Sequence, residues 1–295
     1  MRINCDLCGS DSPIEIPCSR TYTDGQPIHV CGACGFVYVV ERRSSSEIAD
    51  AWSQDIYGEP SKDTQKAPVT YTARAPAAMA RLTFVAETIC NLLKITDCRL
   101  VDIGAGEGVF LEIVRRLAPS VELFGIEPSL DNCDGMRRGG IECFAGTIED
   151  YIAMQSNIES PEKFDVVTVL WTLENCHSCR DMIEGAIRLL APGGMLVVAT
   201  GSRILVPFKK PLNYYFGTNP ADTHSFRFSS KSLKRLVSQF GWQPAYENRY
   251  IDNDILLTAF TKGDDSSLDE GALRDSAKDV LEFFERWDKE TQHYL

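Results

Sequence analysis

Arg99-Leu100-Val101-Asp102-Ile103-Gly104-Ala105-Gly106-Glu107-Gly108-Val109-Phe110-Leu111-Glu112-Ile113-Val114 reads as a strand, a glycine turn and a helix. A turn of this kind brings backbone amides close to a nucleotide-like ligand at the start of the helix. Glycine serves there because a side chain blocks the approach and because such turns use positive φ. The spacing is Gly-x-Gly-x-Gly, and Val109 stands where the dinucleotide fingerprint Gly-x-Gly-x-x-Gly places its last glycine. That offset argues against a nicotinamide enzyme.

Working outward, Val121-Glu122-Leu123-Phe124-Gly125-Ile126-Glu127 is a second strand ending in a carboxylate. It lies about 20 residues past the turn, where an acid accepts hydrogen bonds from ribose hydroxyls. Cys143-Phe144-Ala145-Gly146-Thr147-Ile148-Glu149-Asp150 follows a third short strand, and Phe164 to Trp171 is a strand of buried type. A helix from Arg180 to Leu190, the break Ala191-Pro192-Gly193-Gly194 and the strand Met195 to Thr200 come next. Strands alternating with helices predict an α/β fold, a parallel sheet covered on both faces.

With those residues in place the chain resembles the class I S-adenosylmethionine-dependent methyltransferases, over roughly residues 70 to 262. The matching residues are Asp102, Gly104, Ala105, Gly106 and Gly108 in the glycine loop and Glu127 as the ribose acid. Thr147, Ile148 and Glu149 match near the adenine, Leu170-Trp171 at the end of the fourth strand, and Leu190-Ala191-Pro192-Gly193-Gly194 before the fifth. The resemblance implies a Rossmann-like seven-stranded sheet with S-adenosyl-L-methionine across the carboxyl ends of its first strands. It also implies that the segment just ahead of an amphipathic helix at Ala77 to Leu93 closes over the methionine end, with Tyr71 and Arg74 on its carboxylate. A surface pair at a helix terminus is the plain alternative for those two residues.

The 295 residues allow one large domain and smaller additions. Eleven cysteines, without an apolar signal segment at the start, point to thiols and metal ligands rather than disulfides. Cys5-x-x-Cys8-Gly9 and Cys31-x-x-Cys34-Gly35 are two Cys-x-x-Cys-Gly turns with 22 residues between them. Such turns present four thiolates tetrahedrally, so Cys5, Cys8, Cys31 and Cys34 are expected to hold a structural Zn2+, with iron as the minor alternative. The expected organisation is a zinc-binding module at 1–42, a helical linker and cofactor lid at 43–95, the methyltransferase domain at 96–262 and a C-terminal helix at 263–295. Within the linker, a short helix is expected from Ile48 to Ile56. The module is either a platform over the catalytic domain or an inert appendage.

Net charge is −12, and in the first 42 residues Arg2, Arg20 and Arg42 are outnumbered by Asp6, Asp11, Glu15, Asp24 and Glu41. Phosphate backbones call for concentrated Lys and Arg, so no nucleic-acid partner is expected. No run approaches a membrane span, and a cytoplasmic location is expected.

Two loops are candidates for the acceptor. Trp171-Thr172-Leu173-Glu174-Asn175-Cys176-His177-Ser178-Cys179 follows the fourth strand, where open α/β sheets place active-site loops. Relatives show Leu-Glu-His there; here Asn175 follows Glu174, and His177 is the nearest histidine. The segment Pro207 to Phe228 is long and aromatic for a connector, and its His224-Ser225-Phe226-Arg227-Phe228-Ser229 resembles the wall of an acceptor pocket. His224, His177, Glu174 and Tyr214 are the catalytic candidates, with Tyr215 beside them and Lys209, Lys210 and Arg227 available to a phosphate.

A helix is expected from Ser230 to Phe240, a closing hairpin at Trp242–Tyr250 and Asp254–Phe260, and a last helix from about Leu268 to Lys289. That last helix carries Leu273, Ala277, Val280, Leu281, Phe284 and Trp287 on one face, either docked on the domain or joining a homodimer. The module followed by this core is similar to bacterial sugar methyltransferases. O- or N-methylation of a small molecule, foremost a nucleotide-linked or glycan sugar, is the leading expectation. A non-catalytic binding or assembly protein and a nucleic-acid methyltransferase are the alternatives.

Overall fold

Arg99–Ile103 becomes a strand and Val109–Leu117 a helix because Gly104, Gly106 and Gly108 between them all take positive φ (74°, 55° and 74°). The computed structural model describes residues 3–23, 25–54, 76–156, 158–206, 211–216, 224–263 and 271–292. Tyr71, Arg74, Lys209 and Lys210 lie outside the described residues, as does the stretch 264–270 where the last helix is expected to begin.

In chain order the elements are β1 (Pro13–Glu15), α1 (Ser19–Tyr22), β2 (His29–Cys31), β3 (Val37–Tyr38), α2 (Ser45–Gln54) and α3 (Pro76–Glu87). A π-helical turn, Thr88–Leu92, extends α3 and is followed by β4 (Arg99–Ile103), α4 (Val109–Leu117), β5 (Glu122–Glu127), α5 (Leu130–Arg138) and β6 (Glu142–Ala145). Then come α6 (Ile148–Gln155), β7 (Phe164–Leu170), α7 (Cys179–Arg188), β8 (Leu190–Thr200) and α8 (Leu212–Phe216). The chain continues with β9 (Phe226–Arg227), α9 (Ser230–Ser238), β10 (Trp242–Glu247), β11 (Leu256–Lys262) and α10 (Ala277–Thr291). Seven of the strands form one mixed sheet in the order β10-β11-β8-β7-β4-β5-β6, with the seven strands that the resemblance implies. Among the described residues no helix is long and apolar enough to cross a membrane.

The chain divides into two compact units. One, the glycine-loop unit, comprises 45–170 and 185–197. Its centre is β4, in parallel register with β5 (Asp102↔Gly125) and β7 (Asp102↔Thr168). Val109, Phe110, Leu111, Ile113 and Val114 of α4 are buried, and Arg115 and Arg116 lie in its last turn, where they favour the helix dipole. Thr147 and Asp150 form a capping box that starts α6. The Pro-Gly-Gly break is not ahead of the strand but inside β8: Gly193 has φ 81°, and a Cβ on Gly194 would stand 2.9 Å from the Asp165 carbonyl oxygen.

The other, the ribbon unit, comprises 1–44, 171–184 and 198–295. Its sheet has the order β1-β2-β3-β9, so the N-terminal hairpins share a sheet with a strand from the acceptor segment. Ile16, Ile28, Val30, Val37 and Val39 pack in one cluster with Phe216, Val280, Phe283, Phe284 and Trp287. Of the two readings of the α10 stripe, these contacts favour docking within the chain: Val280, Phe284 and Trp287 are buried by its own residues. The helix itself begins at Ala277, where Ser276 accepts the Asp279 amide as N-cap. β10 and β11 pair antiparallel, with a bulge between Pro244 and Tyr246.

Candidate functional site

In the glycine-loop unit the loop amides are committed internally. Gly104 and Ala105 donate to the Ile126 carbonyl (2.8 and 3.2 Å), Gly106 to Glu127 Oε2 (2.8 Å), and Gly108 to the Ala105 carbonyl (2.9 Å). What the loop offers is room. A Cβ on Gly106 would meet nothing within 4 Å, whereas one on Gly108 would stand 2.4 Å from Met136 Cγ. Gly108 and Gly125 let Met136 pack beneath the loop; Gly106 faces open space. S-adenosylmethionine has no phosphate, so a cradle whose Gly104, Ala105, Gly106 and Gly108 amides are already engaged suits it better than it suits a dinucleotide.

Two acids flank the loop. Glu127 is buried, with Oε1 accepting the Ser129 amide (2.9 Å) and Oε2 that of Gly106. A carboxylate has about four acceptor positions, so both oxygens keep capacity for a vicinal diol. Burial raises its pKa, against the pull of the Ser129 and Gly106 amides and the Asn132 side chain. Asp102 is pushed up to about 7 by burial, opposed by the hydroxyl of Thr168, which donates to Oδ1 (2.6 Å), and reinforced by the charge of Glu127. Thr168, alone among apolar neighbours in β7, was the residue the sequence reading passed over here.

The adenine-side expectations fall out differently. The Thr147 hydroxyl and amide are both engaged with Asp150 Oδ2 (2.9 and 3.0 Å). Ile148 is buried, its side chain packed where a Cβ on Gly185 would be 3.0 Å away, on the core side. Glu149 is exposed in the first turn of α6.

The remaining candidates lie in the ribbon unit. Trp171 has φ 54°, an outlier for a bulky residue. Its amide donates to the Ala199 carbonyl (2.7 Å) and its carbonyl accepts Asn175 Nδ2 (2.9 Å), which hold the turn. Its buried indole Nε1 has no acceptor among the described residues. The ring lies against Gly201, whose Cβ would be 3.5 Å from Cδ1 and Nε1.

Glu174 is buried and its Oε1 accepts the Gly201 amide (3.1 Å), while its carbonyl accepts the Phe226 amide (3.2 Å). The next residue, Ser202, pairs its hydroxyl with His224 Nδ1. Trp171, Glu174, Gly201, Ser202, His224 and Phe226 thus form one constellation. Ser202 was not singled out from sequence, because a serine after a buried strand carries no local signal of a partner 22 positions on. The buried Arg227 donates Nη1 to the His224 carbonyl (3.0 Å) and stacks over Phe216 (4.9 Å). His177 stands apart, its Nδ1 donating to the Arg43 carbonyl (2.7 Å). Tyr214 is 72% exposed; its neighbour Tyr215 is buried against Trp287, and burial raises its hydroxyl pKa.

The same unit gathers Cys5, Cys8, Cys31 and Cys34, with all four sulfurs within 4.8 Å of one another. Gly9 and Gly35, both at φ 72°, donate to the Cys5 and Cys31 carbonyls (2.7 and 2.8 Å) and close the two turns. Hydrogen bonds from the Cys34 and Cys5 thiols and from the Ala33 and Cys34 amides hold Cys31 low, while hydrogen bonding to Cys31 and Cys34 raises Cys5. Four cysteine sulfurs this close are a donor set that could hold a metal ion.

The methyltransferase-domain family matches residues 71–247. A ubiquinone biosynthesis O-methyltransferase from Methylobacterium nodulans is 27% identical over 159 residues, covering 50% of this chain and 62% of its own. The mitochondrial one from Schizosaccharomyces pombe is 25% identical over 174 residues, covering 55% and 61%. This chain therefore spans about three-fifths of the length of these two relatives. A solved structure of a candidate O-methyltransferase from Nostoc punctiforme matches with a TM-score of 0.51 at 17% identity, covering 64% of this chain and 58% of that one, a likeness of fold. With the family match spanning more than half the sequence and enclosing the glycine loop, Glu127 and six of the seven strands of the sheet, the chain belongs to the S-adenosylmethionine-dependent methyltransferase domains.

Proposed function

We propose that the protein transfers a methyl group from S-adenosylmethionine to oxygen or nitrogen of a small molecule, with a nucleotide-linked or glycan sugar as the first acceptor class. The observation that carries the cofactor half is the open space at Gly106 beside the buried Glu127 carboxylate. When bound there, the cofactor supplies an electrophilic methyl on a sulfonium centre. Glu127 takes the ribose hydroxyls and Asp102 braces the loop from below.

The acceptor half rests on the Glu174–Gly201 and Ser202–His224 pairs. Ser202 orients the imidazole, and His224 takes the proton of the attacking hydroxyl or amine. The sugar preference comes from the sequence resemblance; the curated relatives named above carry O-methyltransferase names of another substrate class.

The four cysteines are read as a structural zinc site. A Zn–S distance of about 2.3 Å gives a tetrahedron with S···S edges of about 3.8 Å. Cys5–Cys34 and Cys8–Cys31 stand 3.7 and 3.6 Å apart, so the donor set fits. A reducing, cytoplasmic setting completes the reading, since all eleven cysteines are unbridged.

The test is methyl transfer from labelled cofactor across panels of nucleotide sugars and of phenols. Turnover with a sugar supports the reading in full, and turnover with phenols alone moves the acceptor class. Tight binding of S-adenosylhomocysteine with no transfer to either panel would favour a binding protein instead.

A further inference from the structure

The four-cysteine centre and the strand that carries the acceptor constellation are connected by short, direct contacts within the ribbon unit. Cys31 and Cys34 belong to the turn between β2 and β3, closed by the Cys31 amide on the Phe36 carbonyl (2.8 Å). From that turn, Phe36 stacks on Phe226 (5.8 Å) and meets Phe228 (5.4 Å). β3 then pairs with β9, Val37 opposite Arg227 and Tyr38 opposite Phe226, and the Val39 amide donates to the Ser225 carbonyl (2.9 Å).

The other Cys-x-x-Cys turn reaches the same strand by a second route. Asp6, between Cys5 and Cys8, holds Arg42 by two hydrogen bonds (3.2 and 2.8 Å), and the guanidinium lies over the Phe226 ring at 4.6 Å. Both partners are buried, at 1% and 4% side-chain exposure.

Across its opposite edge the strand meets the acceptor constellation. Phe226 donates to the Glu174 carbonyl (3.2 Å) and Phe228 to that of Ser202 (2.9 Å). Successive residues of a strand present their backbone groups to alternate edges. Residues 225–228 therefore join the metal-site hairpin on one side to Glu174 and Ser202 on the other, and His224 is the residue immediately before them.

We propose that the metal centre is the foundation of the acceptor wall: metal bound at the four thiols fixes β3, β3 and Arg42 fix 225–228, and that strand fixes His224 against Ser202. The inference rests on the metal reading above and adds the direction of its effect. Removing metal loosens the acceptor groups while the cofactor cradle, which draws on none of these residues, keeps its affinity.

The experiment compares the full-length protein loaded with Zn2+ and the same protein stripped by a chelator under reducing conditions. Hydrogen exchange is followed by mass spectrometry and S-adenosylhomocysteine affinity by calorimetry. Protection at 225–228 and 37–39 is expected to fall roughly tenfold or more, because cross-strand hydrogen bonds set the local opening equilibrium. Affinity for S-adenosylhomocysteine is expected to hold within about twofold.

Arg42→Lys supplies an arm that keeps the metal. It retains the charge opposite Asp6 but loses the planar fork and the ring stacking. It is expected to bind Zn2+ normally and still lose protection at 225–228. Failure to take up Zn2+ overturns the metal reading and this inference together. Zn2+ uptake with unaltered protection at 225–228 after stripping, or in Arg42→Lys, overturns this inference alone.

Discussion

Replacing Gly106 by alanine separates the cost of folding from the cost of binding. The residue sits at φ 55°, so a side chain there costs about 1–2 kcal/mol in backbone strain. Its new Cβ meets no protein atom within 4 Å, so nothing further is added in the free protein. Gly108→Ala serves as the control. It has φ 74°, and its Cβ would be 2.4 Å from Met136 Cγ and 2.8 Å from Sδ. Overpacking of that kind adds about 1–3 kcal/mol, so the control loses roughly 2–5 kcal/mol of stability in all. For binding the order reverses. If the space at Gly106 belongs to the cofactor, the added methyl group intrudes on it at a cost of about 1–3 kcal/mol, a 5- to 150-fold loss of S-adenosylhomocysteine affinity. Chemical denaturation gives the first quantity and calorimetry the second. Wild-type affinity in Gly106→Ala would refute the assignment of that space, and a stability loss equal to that of Gly108→Ala would refute its openness.

Three further outcomes follow from named contacts. Asp102 has a folded pKa of about 7, above its unfolded value, so between about pH 4 and 7 the folded state binds more protons and stability falls as pH rises. Asp102→Asn is expected to flatten that slope in urea melts at several pH values, and an unchanged slope assigns it elsewhere. Ser202→Ala removes one hydrogen bond to His224, worth about 0.5–1.5 kcal/mol. A two- to tenfold fall in kcat at constant cofactor affinity, restored by Ser202→Thr, is the expected readout, and unchanged kcat removes Ser202 from the mechanism. Arg42→Met strands the buried Asp6 carboxylate at a cost of about 3–5 kcal/mol, most of which Asp6→Leu added to it restores. Additive losses in the double variant would show that the pair is not coupled.

What the sequence disclosed is what neighbours in the chain decide. The glycine turn, the acid at the end of β5 and the Cys-x-x-Cys-Gly pairs depend on residues a few positions apart, and all were visible as spacing. The pairing of β3 with β9 was not. A two-residue strand has no periodicity, and its partner lies 190 residues away (Val37 to Arg227). Likewise Ser202 and His224, Asp6 and Arg42, and Asp102 and Thr168 are each joined by tertiary contact with no sequence signature. Boundaries shifted where caps outweigh apolar periodicity. Ser276 starts α10 at Ala277, nine positions later than the expected start at Leu268.

The shared sheet also sets an order of events during synthesis. Cys5 to Cys34 leave the ribosome well before their partners: the strand that completes their sheet emerges 190 residues later and the helix that covers their apolar face later still. At about 5–20 residues per second, that delay is roughly 10–40 s. Throughout it the hairpins must keep four thiols and the faces of Ile16, Ile28, Val30 and Val39 from other reactants. On the metal reading proposed above, early capture of a metal ion by the nascent hairpins would shield the thiols during that wait.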